Sequence, residues 1–147
     1  MKIIEPTASE EFKKYYNLRY KVLRKPWGQS PGSERDEREE TSIHRMIIDN
    51  KTWNALAVGR LQFNSTHEAQ IRFMAVADDL QGKGLGSQII SALEDVARGK
   101  GIQKMILSAR ENALQFYKNN GYEIVQKTHL LFGEIQHWLM AKELTTN

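Results

Sequence analysis

The feature that most constrains this chain is a glycine-rich turn that opens an amphipathic helix. The turn reads Gln81-Gly82-Lys83-Gly84-Leu85-Gly86 and follows an apolar run that ends at Val76. Apolar residues then recur at helical spacing, which predicts a helix over residues 85–98 that ends at Gly99. The apolar positions of this helix are Leu85, Ile89, Leu93, Val96 and Ala97. An apolar strand that enters a helix through such a turn is typical of folds in which helices cover a sheet.

The same turn has the chemistry of an anion-binding site. Glycine leaves backbone N–H groups uncovered and tolerates positive φ, and the first turn of a helix offers N–H groups without an intrahelical partner. Lys83 adds a positive charge. The glycine spacing excludes a P-loop and the dinucleotide-binding fingerprint of Rossmann folds. The glycines alone leave open a turn that binds no ligand.

The remaining apolar patterns predict a mixed sheet covered by helices. A first helix is predicted over residues 10–25, where Pro26 ends it, and the polar segment 27–42 is predicted to be a long loop. A further helix is predicted over 113–120, and strands over 45–49, 55–63, 69–76, 105–107, 122–126 and 136–144. The fold class is therefore α/β, an α+β mixed sheet, in a single domain over residues 1–147.

The composition excludes several classes of function. The 147 residues contain no cysteine, which rules out disulfides and thiolate metal sites and favours a reducing, cytoplasmic location. No apolar run approaches the roughly 20 residues of a membrane helix, so we expect no membrane partner. The formal net charge of +3 is spread along the chain, so we expect no nucleic-acid partner. Histidines and carboxylates lack the spacing of metal ligands, so we expect no metal.

Two further segments extend the pattern around the turn. Residues 71–76 form the preceding strand, and residues 112–122 read Asn-Ala-Leu-Gln-Phe-Tyr-Lys-Asn-Asn-Gly-Tyr. Together with the turn they resemble the GNAT superfamily of N-acetyltransferases, and its uncharacterised bacterial members in particular. The family signature is Arg or Gln, two residues, Gly, one residue, and Gly or Ala, which residues 81–86 match. The resemblance implies a mostly antiparallel, twisted central sheet of roughly six to seven strands, with helices on both faces and a splayed fourth strand.

This resemblance implies an acyltransferase that uses acetyl-CoA as acyl donor and moves the acetyl group to a primary amine by direct attack on the thioester. The expected partner is a small-molecule or peptide amine acceptor, and a homodimer is left open. The positions that match the family's coenzyme-binding residues are Met74, Ala75, Val76, Gln81, Gly82, Lys83, Gly84, Leu85, Gly86, Ser87, Asn112 and Tyr117. The alternative is a catalytically weak or inactive acyl-CoA-binding regulatory module, because Gln70 stands where some relatives place a Glu that acts as base.

Two residues are candidates for acid–base catalysis. Tyr117 resembles the tyrosine that reaches the coenzyme's sulfur, where a phenol can protonate the departing thiolate; packing on the sheet is its alternative role. Glu68 shares a face with Gln70 if the strand is regular. Glu68 is therefore a candidate base or a solvated strand end.

Four further residues are candidates for contact with the substrate. Asp36 lies in an acidic run that can attract a cationic amine, and Trp27 can cover a cation with its ring face. His44 and His137 lie at or within predicted strands, where a histidine can meet the substrate. A solvated loop and packed histidines are the competing interpretations.

Overall fold

The computed structural model of the chain describes residues 1–145, which form one seven-stranded sheet with three α-helices. The strands are β1 (Lys2–Ile4), β2 (Ile43–Ile48), β3 (Ala55–Phe63), β4 (Glu68–Val76), β5 (Lys104–Arg110), β6 (Glu123–Leu131) and β7 (Ile135–Glu143). The helices are α1 (Ser9–Leu23), α2 (Leu85–Gly99) and α3 (Leu114–Asn119). The strand order is β1-β2-β3-β4-β5-β7-β6, and only β4 and β5 pair in parallel within residues 1–145. The predicted mixed, mostly antiparallel sheet is confirmed.

Two parts of the sheet were not predicted from local sequence patterns and form through pairing with another strand. No apolar pattern predicts β1, which exists because its residues pair with the end of β2, where Ile4 lies opposite Met46. The last two strands form a hairpin, and β6 continues to Leu131, beyond the predicted end at Gln126. The residues of β6 are almost all exposed, so the strand carries no apolar alternation.

The two faces of the sheet carry different helices. On one face, α2 fully buries Ile89, Leu93 and Ala97 against the central strands. On the other face, Tyr15 and Leu18 of α1 pack against β2, β3 and β4. Burial of each leucine-sized side chain contributes about 1.5–3 kcal/mol. The prediction of helices on both faces is confirmed. None of the helices within the described residues is long and apolar enough to cross a bilayer.

A bulge in β4 inserts one extra residue into the strand. Phe73 has a φ of 54°, and the register with β3 is irregular at this point. Ile71 before the bulge and Met74 after it both pack in the core beneath α2. Because strand side chains alternate, that spacing requires an inserted residue. On the facing strand, a Cβ added to Gly59 would lie 2.5 Å from Cγ2 of Ile89, so only glycine fits.

The strands β4 and β5 separate after a short paired stretch. Their parallel pairing runs from Glu68 with Lys104 to Ile71 with Leu107 and then stops. The second half of β4 and the end of β5 therefore diverge. This confirms the splayed fourth strand and opens a gap in the middle of the sheet.

Candidate active site

A cavity of about 840 Å³ occupies the gap between β4 and β5. Its walls come from these two strands, the turn before α2, α3, the end of α1 and the β6–β7 hairpin. The predicted coenzyme-binding residues that line it are Met74, Ala75, Val76, Gln81, Gly82, Gly84, Leu85, Gly86, Ser87, Asn112 and Tyr117. Lys83 is exposed and lies outside the lining. The fold thus brings nearly the whole predicted set to one cavity.

The turn before α2 presents backbone N–H groups to this cavity. Gly82 and Gly84 have φ values of 80° and 84°, which L side chains rarely adopt. Gly84 is the N-cap residue of α2, and no side chain of the described residues caps the helix. The N–H groups of its first turn, at Leu85, Gly86 and Ser87, therefore lack intrahelical partners and point toward any anion placed there.

The edge of β4 that faces β5 has no strand partner after Ile71 within residues 1–145. The opposite edge remains paired with β3, where Ala75 lies opposite Val58 and Val76 opposite Ala57. Backbone N–H and C=O groups need hydrogen-bond partners when they are buried. The free edge is therefore a place where an extended ligand can add as a strand.

Tyr117 of α3 lies in the cavity wall. Its ring packs edge-on against Phe116 and Tyr122, with centroid distances of 5.0 and 6.2 Å. Burial raises the pKa of Tyr117 to about 12, against an opposing effect of the Arg110 guanidinium. The phenol is therefore protonated at neutral pH and can donate a proton to a group in the cavity.

His137 of β7 and His129 of β6 stack on each other in the cavity wall, with ring centroids 4.6 Å apart. The Nδ1 atom of His137 lies 3.0 Å from the carbonyl oxygen of Ile135. Nδ1–H therefore donates to this carbonyl, and Nε2 keeps its lone pair. Burial lowers the pKa of His137, and the nearby His129, Arg110 and Arg24 lower it further. His137 is thus a neutral proton acceptor at pH 7.

Glu68 lies away from the cavity, at the start of β4. At about 3.3 Å per residue, it is about 20 Å along the strand from Met74. Its carboxylate accepts a hydrogen bond from Nδ2 of Asn64 at 3.1 Å, beside the exposed β3–β4 turn. Gln70 lines the cavity, whereas Glu68 is not among the described lining residues. Glu68 thus lies outside the described cavity wall, although Asn64 also donates to Gln70, which lines it.

Of the four predicted substrate contacts, only His137 lies among the described residues of the cavity wall. Trp27 is half-buried in a short 3-10 turn after α1. His44 is buried, with Nδ1 2.7 Å from the Tyr15 hydroxyl and Nε2 2.7 Å from the Glu39 carbonyl oxygen. Both ring nitrogens of His44 are therefore engaged within the protein.

Asp36 belongs to a buried ion cluster under α1, formed by Arg19, Asp36, Glu39 and Arg60. Arg60 lies 2.6 Å from Asp36 and 2.7 Å from Glu39, and Arg19 lies 2.9 Å from Glu39. Burial opposes the charged carboxylate of Asp36, but hydrogen bonds from Arg60 and the Arg38 backbone outweigh it and lower its pKa. Asp36 and Glu39 of the acidic loop are thus paired with arginines that lie more than 15 positions away in the sequence.

Three arginines in the cavity wall, which we call the cavity arginines, were missed in the sequence: Arg24, Arg72 and Arg110. Arg24 and Arg72 lie over the ring of Phe73, at 5.5 and 4.9 Å from its centroid. No Asp or Glu occurs among the described residues that line the cavity. One local signal was available, because Arg110 lies two residues before the motif that begins at Asn112.

The glycine turn, the splayed strand and the tyrosine helix thus surround a single cavity. The sequence profile of the acetyltransferase (GNAT) family matches residues 9–122, which include all three features. The chain belongs to this family. This GNAT protein is therefore an enzyme of the acyltransferase class. Residues 1–145 contain no group of three or more His, Asp or Glu side chains placed to hold a metal ion.

Known proteins resemble this GNAT chain over nearly its full length. The uncharacterized N-acetyltransferase YjcF of Bacillus subtilis (strain 168) is 27% identical over 143 residues, which span 97% of this chain and 100% of that protein. An aminoglycoside 6'-N-acetyltransferase complexed with coenzyme A has a TM-score of 0.81 at 16% identity, over 100% of this chain and 99% of that one. A GNAT family acetyltransferase from Elizabethkingia anophelis with acetyl-CoA bound has a TM-score of 0.77 at 18% identity, over 97% of each chain. The two structures share the fold.

Proposed function

We propose that this GNAT protein moves the acetyl group of acetyl-CoA to a primary amine of a small molecule or peptide. The observation that carries the proposal is the cavity in which the uncapped first turn of α2 meets the unpaired edge of β4. Two proteins with the same fold contain coenzyme A or acetyl-CoA in their crystal structures. These complexes support the same donor for this chain.

The donor binds in two parts. Its diphosphate accepts hydrogen bonds from the N–H groups of Leu85, Gly86 and Ser87, at the positive end of α2. Its pantetheine arm lies along residues 74–76 and pairs with the free edge of β4 as an added strand. Asn112 contacts the coenzyme from the opposite wall. The thioester then lies near the bulge, where a backbone N–H group can stabilise the oxyanion of the tetrahedral intermediate.

The reaction needs one proton donor and one proton acceptor. The amine nitrogen attacks the thioester carbonyl carbon, the new C–N bond forms, and the C–S bond breaks. Tyr117 donates its phenolic proton to the leaving thiolate, since its raised pKa of about 12 keeps it protonated. The proton that the amine nitrogen loses after attack restores the phenol, and the proton taken earlier from the ammonium group leaves to solvent.

We assign the base that deprotonates the incoming ammonium group to His137. The described cavity lining contains two imidazole groups, those of His129 and His137, and no carboxylate. His137 has a free Nε2 atom and a lowered pKa. This assignment replaces Glu68 and removes the reason to favour a non-catalytic module, since Gln70 no longer marks the absence of a base.

Titration calorimetry with acetyl-CoA and a thiol-release assay with an amine panel test the proposal. We expect the wild-type protein to bind acetyl-CoA and to release free thiol when a suitable amine is present. Gly84→Glu adds bulk and negative charge to the turn and should weaken acetyl-CoA binding at least 100-fold, roughly the loss of two charge-assisted hydrogen bonds.

The matched control is Gly101→Glu. Gly101 has a φ of 78°, close to that of Gly84, and a Cβ at either position meets no atom within 4 Å. Both variants therefore carry the same backbone strain and the same added charge, but Gly101 follows α2 and lies outside the cavity. Wild-type affinity in Gly84→Glu would refute the site, and equal losses in both variants would mean that strain, rather than the site, explains the effect.

A further inference from the structure

The amine-binding side of the cavity carries an unbalanced positive charge. The three cavity arginines line it together with His129 and His137, and the described lining contains no carboxylate. Burial lowers the pKa of the Arg24 guanidinium, and the positive charges of Arg110 and Arg72 lower it further. The cavity arginines thus share one cavity wall whose described lining contains no carboxylate.

Protein groups satisfy these arginines only in part. Arg24 donates to the carbonyl oxygens of Ser33 and Leu23, at 3.0 and 3.1 Å, and neither acceptor carries a charge. Arg72 lies 3.4 Å from Asp36, but that carboxylate already binds Arg60 at 2.6 and 3.0 Å.

Arg110 is the least satisfied member of the group. Within residues 1–145 its guanidinium makes no hydrogen bond or ion pair, although burial lowers its pKa. Half-buried guanidinium groups without a carboxylate are typical of sites that bind a carboxylate or phosphate in two-point contact.

The coenzyme's diphosphate does not account for the charges of Arg24 and Arg72. Its binding turn follows the end of β4, beyond Val76, whereas Arg72 precedes the bulge at Phe73. At about 3.3 Å per residue, Arg72 lies about 13 Å from Val76 along the strand, so one diphosphate cannot contact both places. The guanidinium groups of Arg24 and Arg72 both lie over the ring of Phe73, at the bulge.

Building on the proposed function, we infer that the acceptor is a small amine that carries its own carboxylate or phosphate group, which the cavity arginines bind while the amine faces His137. The geometry gives a reason for selectivity: an acceptor with a second cationic group meets like charge from three arginines. The amine itself is deprotonated at His137, whose Cα partner in β5 is Arg110. Anion binding and proton acceptance therefore occur on adjacent strands.

The test uses matched pairs of amines with the wild-type protein saturated with acetyl-CoA or with CoA. Amino acids are compared with their amides, phosphoethanolamine with ethanolamine, and a diamine serves as the cationic probe. Thiol release measures transfer from acetyl-CoA, and calorimetry measures amine binding to the CoA complex. We expect an anionic amine to bind and react at least 30-fold better than its neutral twin, a size typical of hydrogen bonds to charged groups. The two pairs distinguish a carboxylate from a phosphate.

Arg110→Gln is the decisive variant, because removing a guanidinium without protein partners disturbs the fold least. It should remove most of the preference for the anionic amine over its matched neutral amine and leave acetyl-CoA affinity within threefold of wild type. Lys100→Gln removes one exposed positive charge at the end of α2, outside the cavity, and should change neither quantity.

The outcomes separate this inference from the proposed function. Equal or better use of neutral or diamine acceptors overturns the inference while the transferase stands. The absence of any anionic amine that binds or reacts also overturns it, as does an Arg110→Gln variant that loses acetyl-CoA affinity but keeps the preference. Binding of an anionic amine to the CoA complex without thiol release from acetyl-CoA supports the anion site and refutes the transferase.

Discussion

Two groups of arginines contact the same aromatic ring in opposite electrostatic surroundings. Arg19 and Arg60 of the buried ion cluster lie 4.4 and 4.9 Å from the centroid of Phe73, and two cavity arginines contact the ring as well. The buried cluster holds two carboxylates for its two guanidinium groups. The described cavity lining holds none for three. The two groups differ in burial, since Arg19 and Arg60 are fully buried whereas Arg72 is partly exposed, and they differ in the number of carboxylates beside them.

The largest effect is expected when the buried cluster is broken. Arg60→Met leaves Asp36 and Glu39 without their main partner in a buried setting and should lower the free energy of unfolding by about 3–5 kcal/mol. Urea denaturation followed by circular dichroism measures this. The double variant Arg60→Met/Asp36→Asn should recover part of the loss, and a loss below about 1 kcal/mol in the single variant would show that the cluster is not a structural element.

The next largest effect is expected at His137. His137→Asn retains a side-chain donor for the Ile135 carbonyl but has no basic nitrogen, so kcat/KM should fall about 100-fold. The lowered pKa of His137 keeps its neutral form populated below pH 6.5, so wild-type kcat/KM should decline only at a more acidic pH. A pH profile checks this, because the acid limb should disappear in His137→Asn. An unchanged acid limb in the variant would exclude His137 as the base.

A smaller effect on rate is expected at Tyr117. Tyr117→Phe keeps the ring contacts with Phe116 and Tyr122 but removes the proton donor, so kcat should fall at least about tenfold. Acetyl-CoA affinity by calorimetry should stay within threefold. An unchanged kcat in Tyr117→Phe would show that Tyr117 only packs in the cavity wall and does not protonate the thiolate.

The smallest effect is expected on the free energy of unfolding when Arg110 is replaced. Arg110→Met removes a cavity arginine whose charge repels Arg24, so the free energy of unfolding should change by no more than about 0.5 kcal/mol. The same urea series that measures Arg60→Met provides the value. A loss as large as that of Arg60→Met would mean that the cavity arginines also support the fold.

Local sequence patterns predicted the glycine turn, the helix that follows it and much of the sheet. Gly82 and Gly84 have positive φ, which glycine adopts readily, and the apolar residues of α2 recur with the period of a helix. Both patterns can be recognised within a short stretch of sequence. The bounds of β3 were predicted without error. The strand β1 and the extension of β6 were missed, because pairing with a distant strand creates them.

The surroundings of the predicted substrate contacts could not be read from the sequence. Asp36 and His44 looked available for a substrate, but the fold places Arg60 and Tyr15 against them and occupies their polar atoms. His137 was one candidate among several until its free nitrogen and its place in the cavity were known. Glu68 and Gln70 do lie in a regular part of β4, but that part of the strand precedes the bulge and the splay, whose positions the sequence alone did not show.

The sequence by itself determined the family, the glycine turn and the helix that follows it, since these depend on contacts between residues close in the chain. Only the tertiary structure decided which charges are neutralised and which are not. Asp36 meets Arg60 across 24 positions, whereas Arg110 makes no ion pair within residues 1–145. Electrostatic energy depends on distance in space, and distance along the chain does not reveal it.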